Sequence, residues 1–169
     1  LADPIIRLFT KDEWQLYRML RLRSLADAPD AFARTLAEEE LLRGEFWQSR
    51  LIAAAASDRD YPLVAELAGQ AVGLTWAKVD GDDPAVVNLY QVWTAPEARG
   101  RGVAAALLEK AIGWAGSRNA RLVRLGVTCG DTPATRLYRR LGFQPVGELE
   151  PLREGSLLQS QPMELALDR

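Results

Sequence analysis

The amino-acid sequence predicts an α+β fold. A hairpin pattern comes early, a strand–helix–strand unit sits in the middle, and strands close the chain. This mixed order differs from the regular alternation of a doubly wound sheet. The length, 169 residues, fits a single domain over residues 1–169, at roughly 150 residues per domain. No internal repeat, low-complexity tract or composition break marks a second one.

The elements follow in order. Ile5 to Phe9 reads as a short strand. Thr10 with Glu13 three residues on is a capping box, and Trp14, Tyr17, Leu20 and Leu25 carry the next helix to a stop before Pro29. Asp30 to Ala33 reads as a loop. A second helix is expected over about Glu38 to Ala54, burying Leu41, Leu42, Trp47 and Leu51; the Glu38-Glu39-Glu40 run reads as its solvated start. The period then changes from helical to alternating. Tyr61–Leu67 and Ala71–Ala77 form a hairpin through Ala68-Gly69-Gln70, a turn signal between apolar runs. Asp80 to Pro84 is an acidic turn. Val86 to Thr94 is a long β-branched and aromatic strand. Gly102 to Trp114 is a helix with Val103, Ala106, Leu107, Ala111 and Trp114 on one face, and Arg121 to Val127 is a strand. Pro133 to Leu141 is a short helix, with Pro at its first turn and Gly142 at its end. Phe143–Leu149 and Met163–Leu167 read as closing strands, separated by a loop from Glu150 to Pro162.

Composition removes several function classes. Lys plus Arg is 21 and Asp plus Glu is 23, a net charge of −2. That balance supports neither a nucleic-acid partner nor a polybasic membrane surface. The chain has no histidine. A His general base, a Ser-His-Asp triad, a Cys-His pair and a His-ligated metal are therefore excluded. The one cysteine, Cys129, excludes an intrachain disulfide and a Cys-rich zinc site, and it reads as a buried or half-buried bystander. No apolar run approaches the roughly 18 residues of a membrane span. The expected compartment is the cytoplasm, with no membrane and no metal.

The informative stretch runs from Trp93 to Leu108. A strand ends at Thr94, and a turn containing Gly100 and Gly102 feeds a helix. Glycine lets the backbone turn tightly and approach a ligand with no Cβ between. The first N–H groups of a helix lack internal partners, and the dipole adds positive potential there, so the place suits a phosphate. Arg99 and Arg101 sit where a helix disfavours cations by about 0.3–1 kcal/mol each, with no carboxylate between Ala98 and Leu108 to offset them. A bound diphosphate accounts for this; solvated arginines beside a simple turn are the alternative. The Gly-Lys-Ser/Thr of a P-loop is absent. Gly100-x-Gly102-x-x-Ala105 matches the dinucleotide fingerprint, but helices and strands precede it and Arg118 to Arg124 offers no acid for a ribose.

Arg99-x-x-Gly102-x-Ala104 also resembles the Arg/Gln-x-x-Gly-x-Gly/Ala motif of the GNAT superfamily of acyl-CoA-dependent N-acetyltransferases. Trp93-Thr94-Ala95-Pro96 before it resembles the end of that family's central strand. Asp131-Thr132-Pro133-Ala134-Thr135-Arg136-Leu137-Tyr138-Arg139-Arg140-Leu141-Gly142-Phe143 is similar to the second signature, Asn-x-x-Ala-x-x-Leu-Tyr-x-x-x-Gly-Phe. The two motifs fall in the family order over nearly all of the chain.

The resemblance implies a mixed, mostly antiparallel sheet with splayed central strands, flanked by about four helices. It implies acetyl-CoA as cosubstrate, its pantetheine pairing with Val92, Trp93 and Thr94 and its diphosphate on Gly100, Arg101, Gly102, Val103, Ala104 and Ala105, with Arg99, Asp131 and Ala134 nearby. Tyr138 matches the tyrosine that protonates the leaving thiolate, a general-acid role suited to a positioned phenol. Asp131 stands where the family commonly has Asn, and an ionised carboxylate cannot donate. The central strand carries no acid; alternation puts Asn88, Tyr90, Val92 and Thr94 on one face and Gln91 with Trp93 on the other. The ammonium of the acceptor then loses its proton to water along a path touching Asn88 or Tyr90, or to a carboxylate from elsewhere, Glu66 being a candidate. The expected acceptor is a small-molecule or peptide primary amine. The other reading is an acyl-CoA-binding sensor on the same fold. Homodimers paired through C-terminal strands are common in the family.

Overall fold

A computed structural model of the chain describes residues 2–168. Among the described residues eight strands form one sheet, in the spatial order β1 (Ile5–Leu8), β2 (Asp60–Leu67), β3 (Gln70–Val79), β4 (Val86–Thr94), β5 (Leu122–Thr128), β8 (Gln159–Ala166) and β6 (Gln144–Pro145), with β7 (Glu150–Pro151) beside β8. All neighbouring pairs are antiparallel except β4 and β5, which run parallel. The fold is thus the mixed, mostly antiparallel α+β arrangement the sequence predicts.

Strand β1 (Ile5–Leu8) lies on the edge against β2 (Asp60–Leu67). Helix α1 (Trp14–Asp27) buries Tyr17, Leu20, Arg21, Ser24 and Leu25, the stripe of a helix lying on a sheet. Only half of the expected capping box forms: Glu13 accepts from the Thr10 N–H at 2.8 Å, and the Thr10 hydroxyl caps nothing. Glu13 is instead held by Arg7 at 2.7 Å. The complete box lies at Thr35 and Glu38.

The single helix expected over 38–54 is two, α2 (Leu36–Glu39) and α3 (Gly44–Ala56). Glu39 is the reason. It is 3% exposed and paired with Arg21 of α1, so the glutamate run is solvated at Glu38 and Glu40 but not at Glu39. Turning Glu39 inward rotates the next residues outward, and Leu41 is 82% exposed. Gly44 then restarts the helix against the Trp14 ring, where a Cβ would stand 3.1 Å from Cη2. Trp47 and Leu51 are buried as expected.

Strands β2 and β3 (Gln70–Val79) turn at Ala68-Gly69, both with positive φ, the geometry a twisted two-residue hairpin requires. Strand β4 is Val86–Thr94, α4 is Val103–Ser117 and β5 is Leu122–Thr128. Helix α5 (Pro133–Arg140) is capped by the Thr132 side chain. The expected strand over 143–149 contracts to β6 (Gln144–Pro145); β7 (Glu150–Pro151) and β8 (Gln159–Ala166) complete the sheet.

The two faces carry different helices. Leu74 and Trp76 of β3 point toward α1, where Trp76 meets the Tyr17 ring at 5.4 Å. Gly73 points toward α4: a Cβ there would lie 3.2 Å from Val103 and 3.3 Å from Leu107. Val87, Val123 and Leu165 stand in register on the α4 face, and Gly142 at the end of α5 packs on Leu165. Helices α1 and α3 thus cover one face, α4 and α5 the other. Among the described residues no helix is long and apolar enough to cross a membrane.

Candidate active site

Two irregularities in β4 open the sheet. The first is a bulge: Leu74 faces Trp93 and Trp76 faces Tyr90, so Gln91 and Val92 together oppose Thr75. Gln91 takes a φ of +61°, uncommon for any residue but glycine. Its side chain accepts from the Tyr17 hydroxyl at 2.8 Å, and the Thr75 hydroxyl donates to the Tyr90 carbonyl at 3.0 Å. These contacts hold a conformation the backbone alone disfavours. The second irregularity is the parting of β4 from β5. Their pairing covers only Val86 to Asn88, so the rest of β4 has no strand on that side. The resulting cleft of about 2280 Å³ reaches both faces of the sheet. It exceeds the several hundred Å³ of a usual small-molecule pocket and has room for two substrates.

The bulge also corrects the expected alternation. Asn88 and Tyr90 share a face, but Trp93, opposite Leu74, joins them on the α1 side. Thr94, opposite Gly73, turns to the α4 side. One extra residue inverts every side chain after it.

On the α4 side, Gly100 and Gly102 both have φ of +78°. No other heavy atom lies within 4 Å of where a Cβ would stand on either. Among the described residues, the backbone N–H groups from Gly100 to Ala105 find no acceptor; the first to do so is that of Ala106, on the Gly102 carbonyl at 3.0 Å. These donors sit at the positive end of a 15-residue helix, an anion cradle by geometry. The Thr94 hydroxyl, buried at the cleft wall, also lacks a partner among the described residues. A polar ligand fits this set: buried or converging groups without partners are costly unless a ligand supplies them.

Tyr138 of α5 lines the same cleft. It is 6% exposed, its ring edge-on to Phe143 at 5.9 Å. Burial pushes its phenol up to about 12. No group among the described residues hydrogen-bonds its hydroxyl.

On the α1 side, the Asn88 amide donates to Asp80 Oδ1 at 2.8 Å. Asn88 and the N–H groups of Asp82 and Asp83 hold the Asp80 carboxyl below its ordinary value. Tyr90 is half exposed, and burial followed by the nearby Asp80 charge raises its phenol. Arg50 lies over the Trp76 ring at 5.0 Å.

Residues 17–143 match the Acetyltransferase (GNAT) family. The chain belongs to this family. A mycothiol acetyltransferase from Thermobispora bispora is 33% identical over 137 residues, 79% of this chain and 43% of that protein. N-acetylaspartate synthetase from Danio rerio is 40% identical over 87 residues, 52% of this chain and 30% of that protein. The chain therefore spans less than half the length of these relatives. A GNAT acetyltransferase from Streptococcus pneumoniae superposes with a TM-score of 0.81 at 24% identity, covering 98% of this chain and 100% of that one. A putative acetyltransferase from Salmonella typhimurium, solved with its cofactor acetyl-CoA, gives 0.81 at 18% identity over 99% and 96%. Both share the fold.

Within this GNAT fold, Val92, Trp93, Thr94, Gly100, Gly102, Val103, Ala104, Ala105, Ala134 and Tyr138 all line the cleft, as do Asn88 and Tyr90. Two expected residues do not. Asp131 is outside the lining, and its carboxylate is turned to Arg136 at 2.9 Å. Arg101 is outside the lining as well. Arg99 lines it but is not without a carboxylate: its guanidinium pairs with Asp27 of α1, which also accepts from the Trp93 indole at 2.9 Å. The offsetting acid comes from 72 residues away, beyond any local reading. Glu66 pairs with Arg7 at 2.6 Å outside the cleft, and Cys129 is exposed and also outside it. Sequence reasoning missed Asp80, Arg21 and Arg50 as lining residues. The acidic turn was a signal for Asp80, whereas no local motif marks the arginines on α1 and α3. Among the described residues no group of three or more His, Cys, Asp or Glu could hold a metal ion.

Proposed function

We propose that this GNAT chain transfers an acetyl group from acetyl-CoA to a primary amine. Acetyl-CoA supplies the activated acyl group as a thioester. The reading is carried by one juxtaposition: the N–H groups of Gly100 and of Gly102 to Ala105 and the Tyr138 hydroxyl, all without partners among the described residues, line one cleft across the splayed strands.

The backbone N–H groups of Gly100 to Ala105 hold the diphosphate. The β4 edge at Val92, Trp93 and Thr94, freed from β5, pairs with the pantetheine as an added strand would. Tyr138 Oη delivers a proton to the departing sulfur. Burial keeps that phenol protonated at working pH. The amine enters from the α1 side, and water beside Tyr90 and Asn88 takes its proton. Asp80 lies at the far end of this path, oriented by Asn88. Catalysis rests on positioning, with no strong base on β4.

The test is thiol release from acetyl-CoA over a panel of small-molecule amines and peptide N-termini, alongside calorimetric titration with acetyl-CoA. Binding with amine-dependent thiol release is expected. Binding without release for any amine would make the chain an acyl-CoA sensor, and no binding would overturn both.

A further inference from the structure

We propose that the acceptor is an amino acid, an amine that also carries a carboxylate, and that Arg21 and Arg50 hold this carboxylate at the α1 end of the cleft. The inference rests on the acetyltransferase reading and names its substrate class. Arg21 is 3% exposed and lines the cleft. Glu39 occupies one edge of its guanidinium, accepting from Nε at 3.1 Å and from Nη2 at 3.0 Å. The remaining nitrogen, Nη1, is buried and has no partner among the described residues. A buried guanidinium with an unpaired corner is costly unless a ligand oxygen completes it. Arg34 also draws on Glu39, at 3.7 Å, so this carboxylate cannot neutralise the site alone.

Arg50 supplies an independent observation. Its guanidinium lies 5.0 Å from the Trp76 ring and 5.8 Å from the Tyr17 ring, with no carboxylate partner among the described residues. Aromatic faces orient a guanidinium while leaving its donor edge for a carboxylate. Tyr17, beneath Arg50, donates its hydroxyl to Gln91 at the bulge of β4, so this end of the cleft adjoins the splayed strand. The neighbouring carboxylates are each held by a neutral donor. Asp60 accepts from the Trp76 indole at 2.9 Å, and Asp80 accepts from Asn88. Among the described residues neither acid pairs with Arg21 or Arg50, and the planar fork of arginine suits a carboxylate better than any other group an amine substrate commonly bears.

The experiment uses matched acceptors: α-, β- and γ-amino acids, their primary amides and their decarboxylated amines, assayed by thiol release. At least one free acid should exceed its amide and amine by about tenfold or more in kcat/KM, the discrimination a built polar subsite gives. Arg50→Gln should lower kcat/KM for that acid about tenfold more than for the matched amine, and Arg50→Lys should recover only part. Arg50 is changed because Arg21 substitutions would strand buried Glu39. A readout independent of turnover is Trp fluorescence on titration with N-acetyl amino acids and the matched N-acetyl amines. Selective binding of the acids, weakened in Arg50→Gln, supports the subsite even if no amine is acetylated. Acetylation of amines with no preference for the carboxylate overturns the inference and leaves the acetyltransferase reading intact. Neither turnover nor selective binding for any acid overturns it as well.

Discussion

Tyr138 shows how burial shapes chemistry at a single side chain. Its ring packs on Phe143, and its phenol is pushed up to about 12 by burial alone. It therefore stays protonated while the fraction of neutral amine rises with pH. Activity should climb toward alkaline pH with no falling limb from Tyr138 below about 11, one unit under its titration. Tyr138→Phe retains the ring contact and removes the proton. Its kcat should drop about 10²-fold or more, with acetyl-CoA affinity unchanged; steady-state kinetics with calorimetry checks both. A full kcat in the Phe variant would pass the proton to water. The two arginines of the turn should separate in a second comparison. Arg99→Glu breaks the contact with Asp27 and sets like charges together, so its melting temperature should fall. Arg101 has no carboxylate partner among the described residues, and Arg101→Glu complements the helix dipole; its melting temperature should hold or rise. Both should bind acetyl-CoA more weakly than the parent, which thermal melts with and without the ligand will read.

The cleft depends on two elements whose backbones depart from regular geometry. Gly102 precedes α4 with a φ of +78° and open space beside it. Gly102→Val sets a β-branched residue in that conformation, at a cost of about 1–3 kcal/mol, and fills the cradle. Acetyl-CoA affinity should fall at least about tenfold, equivalent to 1.4 kcal/mol. A folded Val variant with parental affinity would remove the cradle from the binding site. The bulge of β4 is the counterpart. Gln91→Val loses the Tyr17 hydrogen bond and keeps a positive φ that a β-branched side chain tolerates poorly. Chemical denaturation should show a loss of about 1–3 kcal/mol, with kcat falling as β4 relaxes toward β5.

At the scale of the whole molecule, the absence of histidine has a thermodynamic consequence. No side chain titrates with an ordinary value between pH 5 and 8, so stability should be flat there. Several carboxyls are held low in the fold: Glu13 by Arg7, Asp27 by the Trp93 indole and then Arg99, Asp80 by Asn88, and Glu97 by Arg23. A depressed folded value stabilises the protein fully above the unfolded value, near 4, and that contribution is lost as pH falls through the folded one. Calorimetry should find a constant melting temperature from about pH 5 to 8 and a decline below about pH 4. A rise on acidification would contradict these pairings. The same compactness makes the Arg21–Glu39 pair matter: both partners are 4% exposed in their side chains. Removing Glu39 alone should destabilise by about 3–5 kcal/mol, because a buried charge is left uncompensated.

Local chemistry in the sequence determined a good deal. Alternating apolar residues over 61–77, the Ala68-Gly69 turn and the Gly100-x-Gly102 entry to a helix fix their elements within a few neighbours, since backbone preference and amphipathic period act at short range. Tyr138 and the β4 positions were legible because they sit inside contiguous motifs. What tertiary structure decided are the matters set by partners far along the chain. Glu39 was drawn inward by Arg21, 18 residues away, splitting a helix that the local pattern reads as one. Asp27 satisfied Arg99 across 72 residues. The bulge at Gln91, held by Tyr17 from 74 residues away, inverted the faces that strict alternation assigns to Trp93 and Thr94. Period and propensity are local quantities, whereas pairing a buried charge or supporting a strained backbone is settled only when distant elements pack.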